Sequence, residues 1–209
     1  MAEHIVLFAG PMGAGKSSAI QSLADGNAVA TEAHNTDRET ADKDFTTVAM
    51  DYGEMTLGDD DLVKLYGIPG QRRFDFMWAM LKERAMGLML LIHADGPDPE
   101  AQLAEFLGEF GELHEKGGIV VGITRSDVAP GPELAAYAEV IDHVIPGSLI
   151  PVFTVDARSE AHMRTCLLSL ITNIEMRAAA GVLEDEAGEG PAGDDTDRSA
   201  SGQPEGQAA

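Results

Sequence analysis

The chain has 209 residues, enough for a domain that buries about 70% of its unfolded surface and needs no metal or disulfide staple. Thirty-six Asp and Glu against 14 Lys and Arg leave a formal net charge of -22, which excludes a general nucleic-acid binder and adsorption to anionic lipid by charge alone. A single cysteine, Cys166, excludes an intrachain disulfide and fits a reducing cytosol.

In chain order, Ile5–Phe8 is an apolar run ending at Gly10 and reads as a buried strand. Lys16–Ala24 reads as a helix after a glycine-rich turn. Residues 25–45 are polar and lack periodicity, and a loop of that length in a compact domain is usually functional or disordered. Thr46–Met55 and Asp61–Tyr66 read as strands, and Phe74–Glu83 as a helix rich in Met and aromatics. Its Met77 and Trp78 are candidates for an adaptable partner surface. Gly87–Ile92 is the clearest buried strand. Pro99–Glu115 places Leu103, Phe106, Leu107, Phe110 and Leu113 at helical spacing. Ile119–Ile123 is a further strand, 132–142 a short helix, and Pro151–Val155 a last strand. Met163, Cys166, Leu167, Leu170, Ile171 and Ile174 mark a long amphipathic helix with Cys166 on its apolar stripe.

From Gly181 the composition turns to Gly, Ala, Pro and acids, so residues 1–180 are expected to form one domain and 181–209 an acidic, disordered tail. Ile5–Ala9 is too short for a signal peptide, and the longest apolar stretch, Gly87–Ile92, falls far short of the ~20 residues a membrane span needs. The ending Gln207-Ala208-Ala209 offers no prenylation cysteine. A cytoplasmic protein with no integral membrane segment is expected. Strands alternating with helices predict an α/β fold of three layers, its sheet mostly parallel with Thr46–Met55 as one antiparallel edge strand. Ligands of such sheets bind beyond the carboxyl ends of the strands.

The motifs fall at those ends. Gly10-Pro11-Met12-Gly13-Ala14-Gly15-Lys16-Ser17 fits G-x-x-x-x-G-K-[ST], a phosphate loop. Gly10, Gly13, Ala14 and Gly15 let backbone N–H groups turn towards a β-phosphate, and the helix start, with Ser18, adds its positive end. Lys16 reaches the β- and γ-oxygens, and Ser17 ligates Mg2+. A carboxylate can accept from both guanine N1–H and N2–H2, which adenine does not offer. Thr124-Arg125-Ser126-Asp127, after an apolar strand, looks like the guanine-specifying [NT]-K-x-D element, with Asp127 as that carboxylate, Arg125 covering the base and Thr124 supplying a hydroxyl. Val155-Asp156-Ala157-Arg158 resembles the S-A-K element, which would set the Ala157 amide against guanine O6. None of the six histidines has metal-ligand spacing.

Tyr66-Gly67-Ile68-Pro69-Gly70-Gln71-Arg72-Arg73-Phe74 resembles the D-x-x-G-Q element of small GTPases. The resemblance gives Gly70 a backbone contact to the γ-phosphate and Gln71 the orientation of the attacking water. Thr47-Val48-Ala49-Met50-Asp51-Tyr52 lies like the switch-one segment of Rab-type proteins, with Thr47 as a second Mg2+ ligand. Together these motifs resemble the bacterial Ras-like small GTPases, the mutual-gliding (MglA-type) and conservon-type GTP-binding proteins, over about residues 3–180. The resemblance implies the small G-protein form of the P-loop NTPase fold and a switch that binds GTP or GDP with Mg2+ and hydrolyses GTP slowly. It also implies regulation by a roadblock/LC7-domain activator or scaffold, often beside a sensor-kinase system. The acid of D-x-x-G is Gly67 in this chain, and Asp51 is a substitute if it, rather than Tyr52, faces inward. Arg38, Arg72 and Arg73 are candidates for an arginine finger, Arg38 foremost. Two other readings stay open on the residues alone: an ATP-using protein with Asp95 as its Walker-B carboxylate, and a nucleotide-holding pseudo-GTPase scaffold motivated by Gly67.

Overall fold

The computed structural model describes residues 3–26, 28–30, 50–58, 61–69, 75–116, 118–129 and 133–188. Among them lie, in order, β1 (Glu3–Ala9), α1 (Lys16–Leu23), β2 (Val29–Ala30), β3 (Asp51–Leu57), β4 (Asp61–Gly67), α2 (Asp75–Arg84), β5 (Gly87–His93), α3 (Pro99–Phe110), α4 (Glu112–Lys116), β6 (Ile119–Thr124), α5 (Leu134–Val144), β7 (Val152–Thr154) and α6 (Glu160–Gly188). The sheet and its hydrophobic packing belong to the first of two compact units, Met1–Met176. Among its described residues the second unit, Arg177–Ala209, is helix as far as Gly188.

The seven strands form one sheet in the order β2-β3-β4-β1-β5-β6-β7. β4, β1, β5, β6 and β7 run parallel, while β3 pairs antiparallel with both β2 and β4. The central strands read as unbroken apolar runs because both faces of the sheet are covered. The period-two alternation of a strand then divides each run between two cores. Leu7, Leu88, Leu90, Ile92, Val121 and Ile123 join Leu103, Phe106 and Phe110 of α3 and Tyr137 of α5 on one face. Val6, Phe8, Met89, Leu91 and Val120 join Ile20 of α1 and Met163, Cys166, Leu167 and Leu170 of α6 on the other. Cys166 is buried, as its place on the apolar stripe implies.

Four expectations need correction. Among the described residues the antiparallel strand spans Asp51–Leu57, past the expected end at Met55, and the expected residues 46–49 lie outside the described residues. It is not the edge either: the two-residue β2, too short to show a sequence period, pairs outside it. The single helix expected over 99–115 is interrupted at Gly111 and divides into α3 and α4. And α6 continues past Gly181 to Gly188, through a Val-Leu-Glu-Asp-Glu-Ala run with no second helix breaker.

Candidate functional site

β1 ends at Ala9, and the chain turns through Gly10–Gly15 into α1 at the carboxyl edge of the sheet. The turn depends on left-handed backbone, since Gly10, Gly13 and Gly15 have φ of 137°, 84° and 95°. A side chain at Gly10 would also run into the Leu91 carbonyl, 2.0 Å from its Cβ. Lys16, at the start of α1, donates from Nζ to the carbonyls of Gly10 and Pro11, both at 2.8 Å. The loop therefore wraps around its own ammonium. Burial pulls the Lys16 pKa from its ordinary 10.5 down to about 8, and the Asp51 carboxylate works against that fall.

Ser17 Oγ donates to Asp51 Oδ2 at 2.7 Å. The sheet register explains how. Asp51, the first residue of β3, is paired with Gly67, the last of β4, and Gly67 is paired in turn with Phe8 of β1. A Cβ on Gly67 would sit 2.9 Å from Asp51 Cβ and 3.0 Å from Asp51 Oδ2. The Asp51 side chain thus fills the space a Gly67 side chain would need. A carboxylate one strand over from Gly67 reaches Ser17. Tyr52, its neighbour, packs against the Tyr66 ring, with centroids 5.0 Å apart, and donates its hydroxyl to Glu54. The choice between Asp51 and Tyr52 falls to Asp51.

The next wall is built by β5 and β6. Thr124 ends β6 almost fully buried, and its Oγ1 lies 3.0 Å from the Ala14 carbonyl and 3.4 Å from that of Ile92. The shorter contact ties the phosphate loop to the strand that delivers Asp127. Arg125 follows in left-handed backbone at φ 59°, an uncommon conformation for a residue with a Cβ. Its guanidinium lies 3.4 Å from Asp95, which is 3.0 Å from His93 Nδ1. Asp95 is therefore turned to the Arg125 side of the site, and Asp51 is the carboxylate on Ser17, which removes the ground for Asp95 as a Walker-B acid. Ala157 closes the rear of the loop, with Cβ 2.8 Å from where a Gly15 Cβ would stand.

A cleft of about 280 Å³ runs between these parts, lined by Gly13, Gly15, Ser18, Arg125, Asp127 and Ala157 among others. Two roomier hollows lie elsewhere, one beside Asp25 and Tyr52, one between Leu149–Pro151 and α6. Among the described residues neither is lined by a Lys or Arg, the groups that meet a polyphosphate. The structure thus brings together Gly10, Gly13, Ala14, Gly15, Lys16, Ser17 and Ser18 with Thr124, Arg125, Asp127 and Ala157 at one end of the sheet. Gly70, Gln71, Arg38, Arg72, Arg73 and Thr47 lie outside the described residues, as do the side chains of Met77 and Trp78. The pairing of Asp156 with Arg158 beside Asp127 carried no signal in the sequence beyond two opposite charges two residues apart.

Hard oxygen donors suit magnesium, and the Ser17 hydroxyl with the Asp51 carboxylate behind it makes a fitting beginning of its site. Among the described residues no group of three or more His, Cys, Asp and Glu could hold a metal ion. Magnesium would thus need phosphate oxygens and water to complete its shell, as it commonly does.

A strand, a left-handed glycine loop around a lysine, and a helix beginning with a serine backed by a carboxylate define a phosphate-loop nucleotide-binding α/β protein. Residues 5–123, more than half of the chain, match the family described as 50S ribosome-binding GTPases, and the chain belongs to that family. It is a GTP-binding P-loop GTPase. The matched residues stop one short of Thr124, so the base-side residues rest on their own geometry. No curated protein matches the chain. No helix among the described residues is long and apolar enough to cross a membrane.

Proposed function

We propose that this chain is a small Ras-like switch of the cytoplasm that binds GTP and GDP with Mg2+ and hydrolyses GTP slowly. The observation that carries this reading is the 2.7 Å contact between Ser17 and Asp51, which restores the carboxylate that Gly67 lacks. The amides of residues 13–17 hold the β-phosphate, Lys16 leaves its two loop carbonyls for phosphate oxygens, and Ser17 presents its hydroxyl to the metal. Magnesium, when bound, neutralises charge on the phosphates. Asp127 selects guanine, Arg125 covers the base, Thr124 steadies loop and strand together, and the Ala157 amide meets the base oxygen. Thr47 as a metal ligand, Gly70 at the γ-phosphate, Gln71 as the residue orienting water, and Arg38 as a finger in cis are proposed on the sequence pattern alone. Unassisted Ras-like hydrolysis runs at about 10⁻⁴ s⁻¹, and the same order is expected for this chain.

The proposed switch domain spans 1–180, with an acidic segment beyond it, and the proposed regulator is a roadblock/LC7-domain protein acting as activator or scaffold. A ribosomal RNA partner, which the family's description would suggest, is disfavoured by the net charge of -22. The pseudo-GTPase reading rested on the absence of an acid at Gly67, and Asp51 removes that motive. The test is calorimetry of the full chain with GDP, GTP and ATP in the presence of Mg2+, followed by single-turnover phosphate release. Binding of both guanine nucleotides, rejection of ATP and slow release of phosphate support the proposal. Equal affinity for ATP, or retention of GTP without turnover, would overturn it.

A further inference from the structure

The turn between β7 and α6 is tied more closely than a connecting loop requires. The Asp156 amide donates to His162 Nδ1 at 3.0 Å, and the Asp156 carbonyl accepts from the Ser159 amide at 2.9 Å. The Asp156 carboxylate takes three further bonds from one residue: the Arg158 amide, Nε and Nη2, each at 2.9 Å. The two guanidinium bonds are bidentate, the geometry that fixes an arginine in direction as well as place. They hold the Asp156 carboxyl down to about 2, so it stays ionised at any working pH.

So fixed, the same Nη2 lies 4.0 Å from Asp127 Oδ2. Arg158 stands between two carboxylates that line one cleft. The nearby Arg125 is engaged with Asp95 instead, at 3.4 Å. Asp127 itself sits on an open turn, with 73% of its side chain exposed. A carboxylate that must accept two guanine N–H groups has to give up water while remaining charged, and it must do so in one rotamer. Asp156, a second fixed negative charge lining the same cleft, would oppose both requirements if it were not neutralised.

Resting on the guanine reading above, we propose that Arg158 is a positioning residue for base selection. Asp156 anchors it, and its guanidinium steers Asp127 towards the purine edge while cancelling the repulsion between the two acids. The competing reading is that Arg158 only staples the corner before α6, in which case base selection does not feel it.

The experiment uses the full chain and competitive binding of GDP, IDP (which lacks the 2-amino group) and ADP with Mg2+. Wild type should prefer GDP over IDP and reject ADP. Arg158→Gln should weaken GDP about tenfold and IDP less, so that the GDP/IDP ratio narrows. Arg158→Lys should recover part of the loss by charge without the bidentate fork. Asp156→Asn alone should also weaken GDP, because Arg158 loses its anchor, yet Asp156→Asn added to Arg158→Gln should restore affinity by removing the opposing charge. That change of sign is the signature of two carboxylates sharing one cation. An unchanged GDP/IDP ratio in Arg158→Gln, or a double variant no better than Arg158→Gln alone, overturns the inference while leaving guanine binding intact. A wild type that takes ADP as well as GDP brings down the guanine reading and this inference with it.

Discussion

Replacing Asp51 by Asn keeps the shape of the side chain and removes its charge, and the consequence for metal binding follows from the geometry. Asp51 Oδ2 accepts from Ser17 Oγ at 2.7 Å, and the register partner Gly67 has no side chain to take over. A hydrogen bond to a charged acceptor contributes about 1.5–3 kcal/mol and a neutral one about 1, so the bond alone loses about 0.5–2 kcal/mol. The lost attraction between carboxylate and dication adds to this, and removal of such outer-shell acids typically weakens metal affinity about 10–100-fold. The expected result is that Asp51→Asn needs at least tenfold more Mg2+ to retain GDP. The assay is release of a fluorescent GDP analogue as a function of free Mg2+, with a thermal melt showing that the fold persists. The exchange across the strand pair, Asp51→Gly with Gly67→Asp, should recover part of the loss, since it returns the carboxylate to β4 at the same rung of the sheet. A Mg2+ dependence in Asp51→Asn equal to that of wild type would rule out a role for Asp51 in holding the metal.

Three further outcomes are expected. Thr124→Val keeps the side-chain volume but leaves the Ala14 carbonyl without its buried hydroxyl donor; a loss of about 1–3 kcal/mol by denaturant unfolding and faster GDP release should follow. Lys16, with a folded pKa of about 8 against an ordinary 10.5, makes the nucleotide-free protein bind fewer protons than its unfolded chain between those values, so its stability should rise as pH climbs through that window. Phosphate binding should draw the pKa back up, so GDP titrations at pH near 8.5 in buffers of different ionisation enthalpy should show proton uptake; heats independent of buffer would contradict it. Burial pushes the Cys166 thiol up to about 11, so a disulfide reagent at neutral pH should react only as the protein unfolds, at a rate that follows denaturant.

The parts of the fold that were legible in the sequence are those fixed by local pattern. β1, β5 and β6 are central parallel strands covered on both faces, and their unbroken apolar runs cannot be solvent-facing. The phosphate loop was legible because its glycines and lysine do chemistry that needs those residues at that spacing. Asp51 was only half legible. Asp51 and Tyr52 are adjacent on one strand and must face opposite sides, and the side each takes depends on the pairing with Gly67, a long-range property that no window along β3 contains. The Asp95–Arg125 and Asp156–Arg158 pairs were invisible for a related reason. They form where chain segments converge at the sheet edge or in a turn geometry, and opposite charges nearby in sequence are too common to single out. β2 has two residues, too few for any period, and it is recognised by its pairing with β3.

In the proposed reading, a phosphate loop around Lys16 and a carboxylate at Asp127 serve the two ends of one guanine nucleotide. Asp127→Asn tests it most directly, by calorimetry of GDP, XDP and ADP against wild type and variant. The variant should lose affinity for GDP and gain it for XDP, whose 2-oxo group accepts where guanine donates, while ADP stays excluded. A variant that binds GDP as tightly as wild type, with no gain for XDP, would contradict it.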